Sequence, residues 1–162
     1  MGNIDSKYKF EHGTIYCQTD KSYFMAGEQI TGKIYLNLSM GYPAGSLEIC
    51  VKGKEKCKWT TRESQQVKDG ENTRTEFVDV VHKNEKDVIK VKVPVYYFPG
   101  GMAAPGQYTF PFSFVLPSNV PASLLYCGVD KAVAKIEYKL KAELEPSMGM
   151  GHSVKKMKFK QK

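Results

Sequence analysis

The chain has 162 residues, which is long enough for one well-cored domain and too short for two sizeable ones. Apolar residues make up 41% and charged residues 25%, as is typical of soluble globular proteins, and no apolar run reaches the roughly 20 residues of a membrane-spanning helix. The net charge of +7 favours acidic partners, such as phospholipid headgroups, phosphorylated peptides or nucleic acid, without choosing among them.

Apolar and polar residues alternate with a period of two through most of the chain, and a sustained helical period is nowhere convincing. In the first half the expected strands are 14–18, 28–38, 47–53 and a short piece around Trp59. Residues 61–73 are almost wholly polar and contain Asp69-Gly70, a good turn dipeptide. This composition predicts a hairpin tip or a mobile loop.

In the second half the expected strands are 75–82, 86–98, 108–116, 132–144 and a basic piece at 154–162. Pro94 favours an edge position for the second of these, because proline cannot donate to a strand ladder. Phe110, Phe112 and Phe114 are expected to share one face. Residues 99–107 are rich in Pro and Gly and predict a loop. Eight or so strands with almost no helix predict an all-β sandwich or barrel.

The four cysteines are Cys17, Cys50, Cys57 and Cys127. None forms a close Cys-x-x-Cys pair, so neither a zinc site nor any other metal site is predicted. Cys17, Cys50 and Cys127 lie in apolar stretches, where we expect free thiols that pack as small core residues. Free thiols and the absence of a secretory signal at the N-terminus favour a cytoplasmic location.

Motifs of catalysis are missing. His12, His82 and His152 are far apart in sequence, and none neighbours a nucleophile in a known local motif. The run Gly149–Ser153 lacks the Lys-Ser/Thr ending of a phosphate-binding loop. We therefore predict a non-enzymatic protein with no catalytic residue and no cofactor. An enzyme with a site assembled from distant loops is the alternative, with the histidines as its acid–base candidates.

The C-terminal piece alternates lysine with apolar residues. One interpretation has the lysines in water and Met157 and Phe159 in the core, and the same pattern elsewhere favours it over nucleic-acid binding. A second hypothesis is a phosphoinositide- or phosphopeptide-binding site. Its candidate residues are Lys155, Lys156, Lys158 and Lys160.

Four segments over residues 14–145 carry motifs in a characteristic order. Gly27 to Ile34 has the pattern Gly-Glu-x-ψ-x-Gly-x-ψ (ψ apolar), and 47–55 is a predicted strand that ends in Gly-x-Glu. The most specific stretch is 105–117 followed by Pro121-Ala122-Ser123, and the predicted strand 136–142 comes after it. Together these segments resemble the N-terminal domain of the arrestin superfamily. The pattern is closer to the α-arrestins and to the retromer's arrestin-like subunit than to visual arrestins.

This resemblance implies an arrestin-like, immunoglobulin-like antiparallel β-sandwich over 8–162. It also implies a cytoplasmic adaptor or scaffold that binds cargo tails or trafficking components in endocytic or endosomal sorting. We expect loops 61–73 and 99–107 to make contacts, since loops carry function on such scaffolds. The family pairs two sandwiches, so either a second arrestin-like domain lies outside this sequence or the partner domain is absent. The phosphate-switch charge cluster and the Pro-Pro-x-Tyr tails of relatives have no counterpart here.

Residues 1–7 are expected to form a flexible segment with a candidate lipidation site. Met1 to Lys7 fits the N-myristoylation pattern, with Gly2 as the acceptor and Ser6 in the required place. One myristoyl chain gives only marginal membrane binding, so a second contact would be required. Peripheral association with an anionic membrane, at the plasma membrane or endosomes, is therefore an expectation that depends on Gly2 and on a further basic or protein contact.

Overall fold

The computed structural model describes residues 9–147 and 157–161, and within them the chain is almost entirely extended. The strands are β1 (Lys9–Phe10), β2 (Gly13–Thr19), β3 (Gln29–Leu38), β4 (Ala44–Asp69), β5 (Asn72–Tyr97), β6 (Gly106–Val115), β7 (Leu124–Cys127), β8 (Val133–Pro146) and β9 (Lys158–Gln161). The sole helical piece in these residues is a 3-10 turn at Pro99–Gly101. The all-β prediction is confirmed.

Two antiparallel sheets form the sandwich. One sheet has the order β1-β2-β3-β6, and the other has the order β5-β4-β8-β7, with β9 pairing the far end of β8. The strand β5, which contains Pro94, lies at an edge of its sheet, as the proline predicted. Two antiparallel sheets packed face to face are the expected arrangement, because the strands are short and each carries its apolar residues on one face.

The core lies between the sheets and follows the period-two pattern. Alternate residues of β3, among them Ile34 and Leu36, are fully buried and face Leu47 and Ile49 of β4. In β6 the side chains of Phe110, Phe112 and Phe114 point inward and their neighbours are exposed, which confirms the predicted aromatic face. Burying such side chains contributes about 1.5–3 kcal/mol each, so this interface supplies the main driving force for folding.

The largest difference from the prediction concerns residues 59–98. The polar stretch 61–73 and the two expected strands after it belong to one long hairpin, in which β4 and β5 pair from Ser46 and Tyr97 out to Asp69 and Asn72. The register shifts twice, between Leu47 and Glu48 and between Gly53 and Lys54. The turn is Gly70-Glu71, and Gly70 has a φ of +66°, a conformation that favours glycine. Polar residues suit these strands because, within the part of the chain that the structure describes, no second sheet covers the distal half of the hairpin.

The prediction of buried thiols is correct for Cys17 and wrong for Cys127. All four cysteines are free; Cys17 is buried, Cys50 and Cys57 are half-buried, and Cys127 is exposed. Because Ile49 and Val51 point into the core, the intervening Cys50 points outward. Cys127 ends the short edge strand β7, whose residues are all exposed. An apolar sequence context therefore did not determine which cysteines reach the core.

Candidate binding surfaces

The outer face of the five-stranded sheet is strongly basic. Strand register places twelve lysines there, namely Lys52, Lys54, Lys56, Lys58, Lys83, Lys90, Lys92, Lys135, Lys139, Lys141, Lys158 and Lys160. The same face holds six carboxylates, namely Glu48, Glu85, Asp87, Glu137, Glu143 and Glu145. We call this surface the lysine face. Its excess of six lysines concentrates on one side most of the net charge of the chain.

Many of these lysines have a carboxylate partner. Lys92 lies 2.6 Å from the Glu48 carboxylate and also contacts Glu145. Hydrogen bonds to Glu145 and then to Glu48 raise the pKa of Lys92 well above its ordinary value. Lys52 and Lys56 pair with Asp87 and Glu85 on the neighbouring strand. Such pairs between half-exposed groups are screened by solvent, so they add little to the stability of the fold and mainly fix the positions of the charged side chains.

Two of the four candidate C-terminal lysines lie within the described residues. In β9, Lys158 and Lys160 are exposed on the lysine face, opposite Glu143 and Lys141, whereas Met157 and Phe159 are buried. The predicted alternation is thus confirmed for these four residues. Lys155, Lys156 and the candidate lipidation site Gly2 lie outside the described residues.

The distal part of the β4–β5 hairpin projects beyond the sandwich. Strand β8 covers β4 only as far as Lys58, and from Trp59 to His82 the two strands have no third strand beside them in the described chain. We call residues 59–82 the ribbon. At about 3.4 Å per residue, its eleven residue pairs extend on the order of 35 Å.

Both faces of the ribbon carry aromatic side chains that are exposed to solvent. On one face the Trp59 and His82 rings stack with centroids 5.1 Å apart, and Thr61 Oγ1 lies 2.7 Å from His82 Nε2. On the other face the Arg62 guanidinium lies 5.2 Å from the centroid of the Phe77 ring, which is 62% exposed. The predicted contact segment 61–73 therefore forms the tip of a structured ribbon with an exposed aromatic on each face.

An apolar cleft opens at one end of the sandwich, between the loops 20–28 and 116–123. Its volume is about 550 Å³, and its walls include Phe24, Ile30, Leu116 and Tyr138. The Tyr138 hydroxyl donates to the backbone oxygen of Pro121 and fixes the second loop, and burial raises the pKa of this tyrosine. In the sequence, the signal that could have indicated this cleft is the presence of the apolar residues Tyr23 and Met25 in the first loop, shortly before the glycine that ends it. Both residues line the cleft and are exposed in the structure.

The first loop is ordered by Glu28. This carboxylate accepts a hydrogen bond from Lys21 and another, at 2.9 Å, from the backbone N–H of Met25. These contacts, the lysine first, hold the pKa of Glu28 below its ordinary value. Solvent-exposed contacts of Glu28 therefore hold this part of the cleft rim.

The predicted contact loop 99–107 is only partly available. Ala103 is buried and forms an isolated bridge with Tyr42, and Phe98 also lies in the core, whereas Met102 is about half exposed. This loop therefore serves to close one end of the sandwich, and Met102 is the large apolar side chain that it leaves exposed.

The two histidines that the structure describes, His12 and His82, lie in different parts of the fold. His12 meets the Tyr42 ring edge-on at 5.4 Å, His82 belongs to the ribbon, and His152 lies outside the described residues. No group of three or more metal-ligating side chains occurs within 9–147 and 157–161. In the same residues no helix has the length and apolar character to cross a bilayer.

Comparison with known proteins decides the family. A family model described as "Arrestin (or S-antigen), N-terminal domain" matches residues 13–160, which is most of the chain. The chain belongs to the arrestin N-terminal domain family. The resemblance carried by the four sequence segments and the predicted sandwich architecture are thus confirmed.

A curated relative and a solved structure extend the comparison. The chain is 31% identical over 134 residues to "Arrestin domain-containing protein A" of Dictyostelium discoideum, covering 81% of this chain and 23% of the relative. It therefore spans about a quarter of that relative's length. The structure of Spo0M, a sporulation control protein from Bacillus subtilis, superposes with a TM-score of 0.45 and 12% identity, covering 91% of this chain and 46% of the other. Arrestin-domain proteins are generally adaptors or scaffolds that bind protein partners.

Proposed function

We propose that this arrestin domain is a non-enzymatic adaptor that binds membrane-protein cargo or trafficking components in endocytic or endosomal sorting. The ribbon is the observation that carries the proposal. It projects from the sandwich, exposes Trp59, Phe77 and Val81, and contributes none of the buried core residues. Side chains of this kind, held on a paired backbone, suit recognition of another polypeptide.

A cytoplasmic, peripherally membrane-associated location accompanies this role. Acylation of Gly2 would supply one weak membrane anchor, and the lysine face would supply attraction to anionic lipid, so together they meet the two-signal requirement for stable anchoring. The domain boundaries at 8–162, and a second arrestin-like domain in the full-length chain, belong to the same proposal.

The test compares two variants as bait in cytosol and solubilised membranes from the source organism. In the first, residues 61–80 are replaced by a short turn, which leaves the covered part of the hairpin intact. The matched control is Lys90→Gln, which changes an exposed residue of the lysine face. We expect cargo tails or trafficking proteins to be captured by the wild type and the control, and lost from the ribbon variant. Equal capture by all three proteins would contradict the ribbon-based role.

Lipid attachment is tested separately. Mass spectrometry of the chain purified from its source should show the myristoyl group at Gly2, and Gly2→Ala should shift the protein from the membrane to the cytosolic fraction. An unmodified N-terminus in the purified protein would remove lipidation from the proposal and leave the adaptor role untouched.

A second candidate is a phosphoinositide- or phosphopeptide-binding function through Lys155, Lys156, Lys158 and Lys160. The supporting observation is that Lys158 and Lys160 are exposed on the lysine face, with Lys141 directly opposite Lys160. Charge reversal of all four lysines should abolish binding to phosphoinositide-containing vesicles or to a phosphopeptide. Unchanged binding would rule this candidate out.

A further inference from the structure

A second basic site lies where the sheet narrows into the ribbon. Strand β8 begins at Val133, so this point marks the end of the three-strand region. Register places Lys58 directly opposite Lys83, and Lys56 directly opposite Lys135. Directly opposed residues have Cβ atoms about 4.5–5.5 Å apart, and like charges in such pairs destabilise a sheet. Two adjoining pairs of this kind form a cluster of four lysines.

The carboxylates nearby do not neutralise this cluster. Glu85 lies 2.8 Å from Lys56 and also pairs with Lys54, so one carboxylate serves two lysines. Glu137 is 3.9 Å from Lys135. Within the described residues, neither Lys58 nor Lys83 has a carboxylate within 4.0 Å. The cluster therefore keeps an uncompensated positive charge at its centre.

The same residues surround a cavity. It has a volume of about 410 Å³ and is lined by Lys56, Cys57, Lys58, Lys83, Asn84, Glu85, Val133 and Lys135. A concave site with several ammonium groups can contact one anion from several directions, which a flat face cannot do. Asn84 alternates with Lys83 and Glu85 along β5, so its amide side chain points to the opposite face of the hairpin and takes no part in this site.

We propose that this cavity, the lysine pocket, binds an anion that carries phosphoryl groups. Ammonium groups bind phosphate as compact charges with three donors each, and a phosphoryl group accepts several hydrogen bonds with nearly two negative charges at neutral pH. The anion would relieve the repulsion between Lys58 and Lys83. The pocket is separate from β9, since Lys135 and Lys141 are six residues, or about 20 Å, apart along β8.

The test uses tripolyphosphate as a soluble probe and measures both calorimetric binding and the shift of Tm. The variant is Lys58→Gln/Lys83→Gln, and the control is Lys90→Gln, a lysine of the same face that also lacks a close carboxylate within the described chain. For the wild type we expect a Tm increase of about 5–10 °C at a probe concentration of 100 times Kd. The double variant should lose at least tenfold in affinity, and the control should bind as the wild type does.

Two further arms identify the source of the phosphoryl group. Vesicles containing a phosphoinositide are compared with vesicles of equal charge that contain phosphatidylserine. Selective binding to the former, lost in the double variant and retained in the control, would assign a lipid headgroup. Tripolyphosphate binding without this selectivity would assign a free anion.

Two results would overturn the proposal. One is absence of binding to both tripolyphosphate and phosphoinositide vesicles. The other is equal affinity of the wild type and the double variant for these probes. A further readout needs no ligand: Lys83→Glu should raise the Tm of the unliganded protein by about 1–3 °C while abolishing probe binding, because it replaces a repulsive pair with an attractive one. A lower Tm would show that the two lysines do not repel each other.

Discussion

The β4–β5 hairpin contains two regions with the same antiparallel pairing and different surroundings. In the proximal region, Leu47, Ile49 and Val51 are buried against the opposite sheet, while in the ribbon nearly every side chain reaches water. Antiparallel pairing runs through both regions, with two register shifts in the proximal one. The difference shows that a facing sheet supplies the apolar burial, and that the ribbon persists on its ladder and a few ring contacts.

The largest expected effect contrasts one apolar residue from each region. Ile49→Ala should lower the free energy of unfolding by about 3 kcal/mol, because it leaves a cavity in the core. Phe77→Ala in the ribbon should change it by no more than about 0.5 kcal/mol. Urea denaturation followed by circular dichroism measures both. Similar losses in the two variants would show that the ribbon also packs against the sandwich.

A second contrast uses two glycines of the same hairpin. A Cβ on Gly53 would lie 2.6 Å from Tyr138 Cε1 and 2.8 Å from Ile89 Cγ2, and the tyrosine is held by its hydrogen bond to Pro121. Gly53→Ala should therefore cost about 2 kcal/mol of stability through overpacking. Gly70 has open space around it and a φ of +66°, so Gly70→Ala should cost about 1 kcal/mol through backbone strain alone.

The same denaturation experiment checks the glycine pair. A crystal structure of the Gly53→Ala variant should show Tyr138 displaced, whereas the Gly70→Ala variant should differ only at the turn. An equal cost in both variants, with Tyr138 unmoved, would contradict the overpacking explanation.

A third contrast uses the pH dependence of the free energy of unfolding, which depends on the burial of Cys17. Burial raises the pKa of Cys17 from 9.0 to about 12, so the folded state keeps a neutral thiol where the unfolded chain ionises. The stabilisation that comes from burying the neutral thiol is complete below pH 9 and is lost as the pH rises from 9 to 12. Between pH 8 and 10.5 the wild type should lose about 2 kcal/mol more stability than Cys17→Ala. Ile15→Ala, at a buried residue without an ionisable group, is the control and should keep the pH dependence of the wild type; identical pH profiles for all three would contradict burial of Cys17.

The smallest effect concerns the ribbon alone. The Arg62–Phe77 contact is exposed, so its coupling free energy should be about 0.5 kcal/mol. A double-mutant cycle with Arg62→Ala and Phe77→Ala measures it, and Arg74→Ala serves as the control partner. A coupling near zero would show that the ribbon is stabilised mainly by the backbone hydrogen bonds between its two strands.

Several parts of the fold were predictable because they depend on local alternation. The aromatic face of β6, the buried Met157 and Phe159, the edge position implied by Pro94 and the turn near Gly70 all follow from side-chain period and backbone chemistry. The exposure of Cys127 could not be predicted, because a short apolar run in the sequence does not indicate whether a second sheet covers it.

The candidate sites were less predictable than the fold. The exposure of Lys158 and Lys160 could be inferred from alternation, but the lysine pocket could not, because Lys58 and Lys83 are 25 positions apart and become neighbours only through hairpin register. The apolar cleft likewise needs two loops that are distant in sequence.

The sequence by itself determined the family, the all-β class and the inward or outward direction of most side chains, since these depend on residue type and a period of two. Only the tertiary structure decided which strands are neighbours, how far the β4–β5 hairpin projects and which lysines converge. Register and sheet order are properties of pairing between distant segments, so they are fixed by long-range burial and hydrogen bonding.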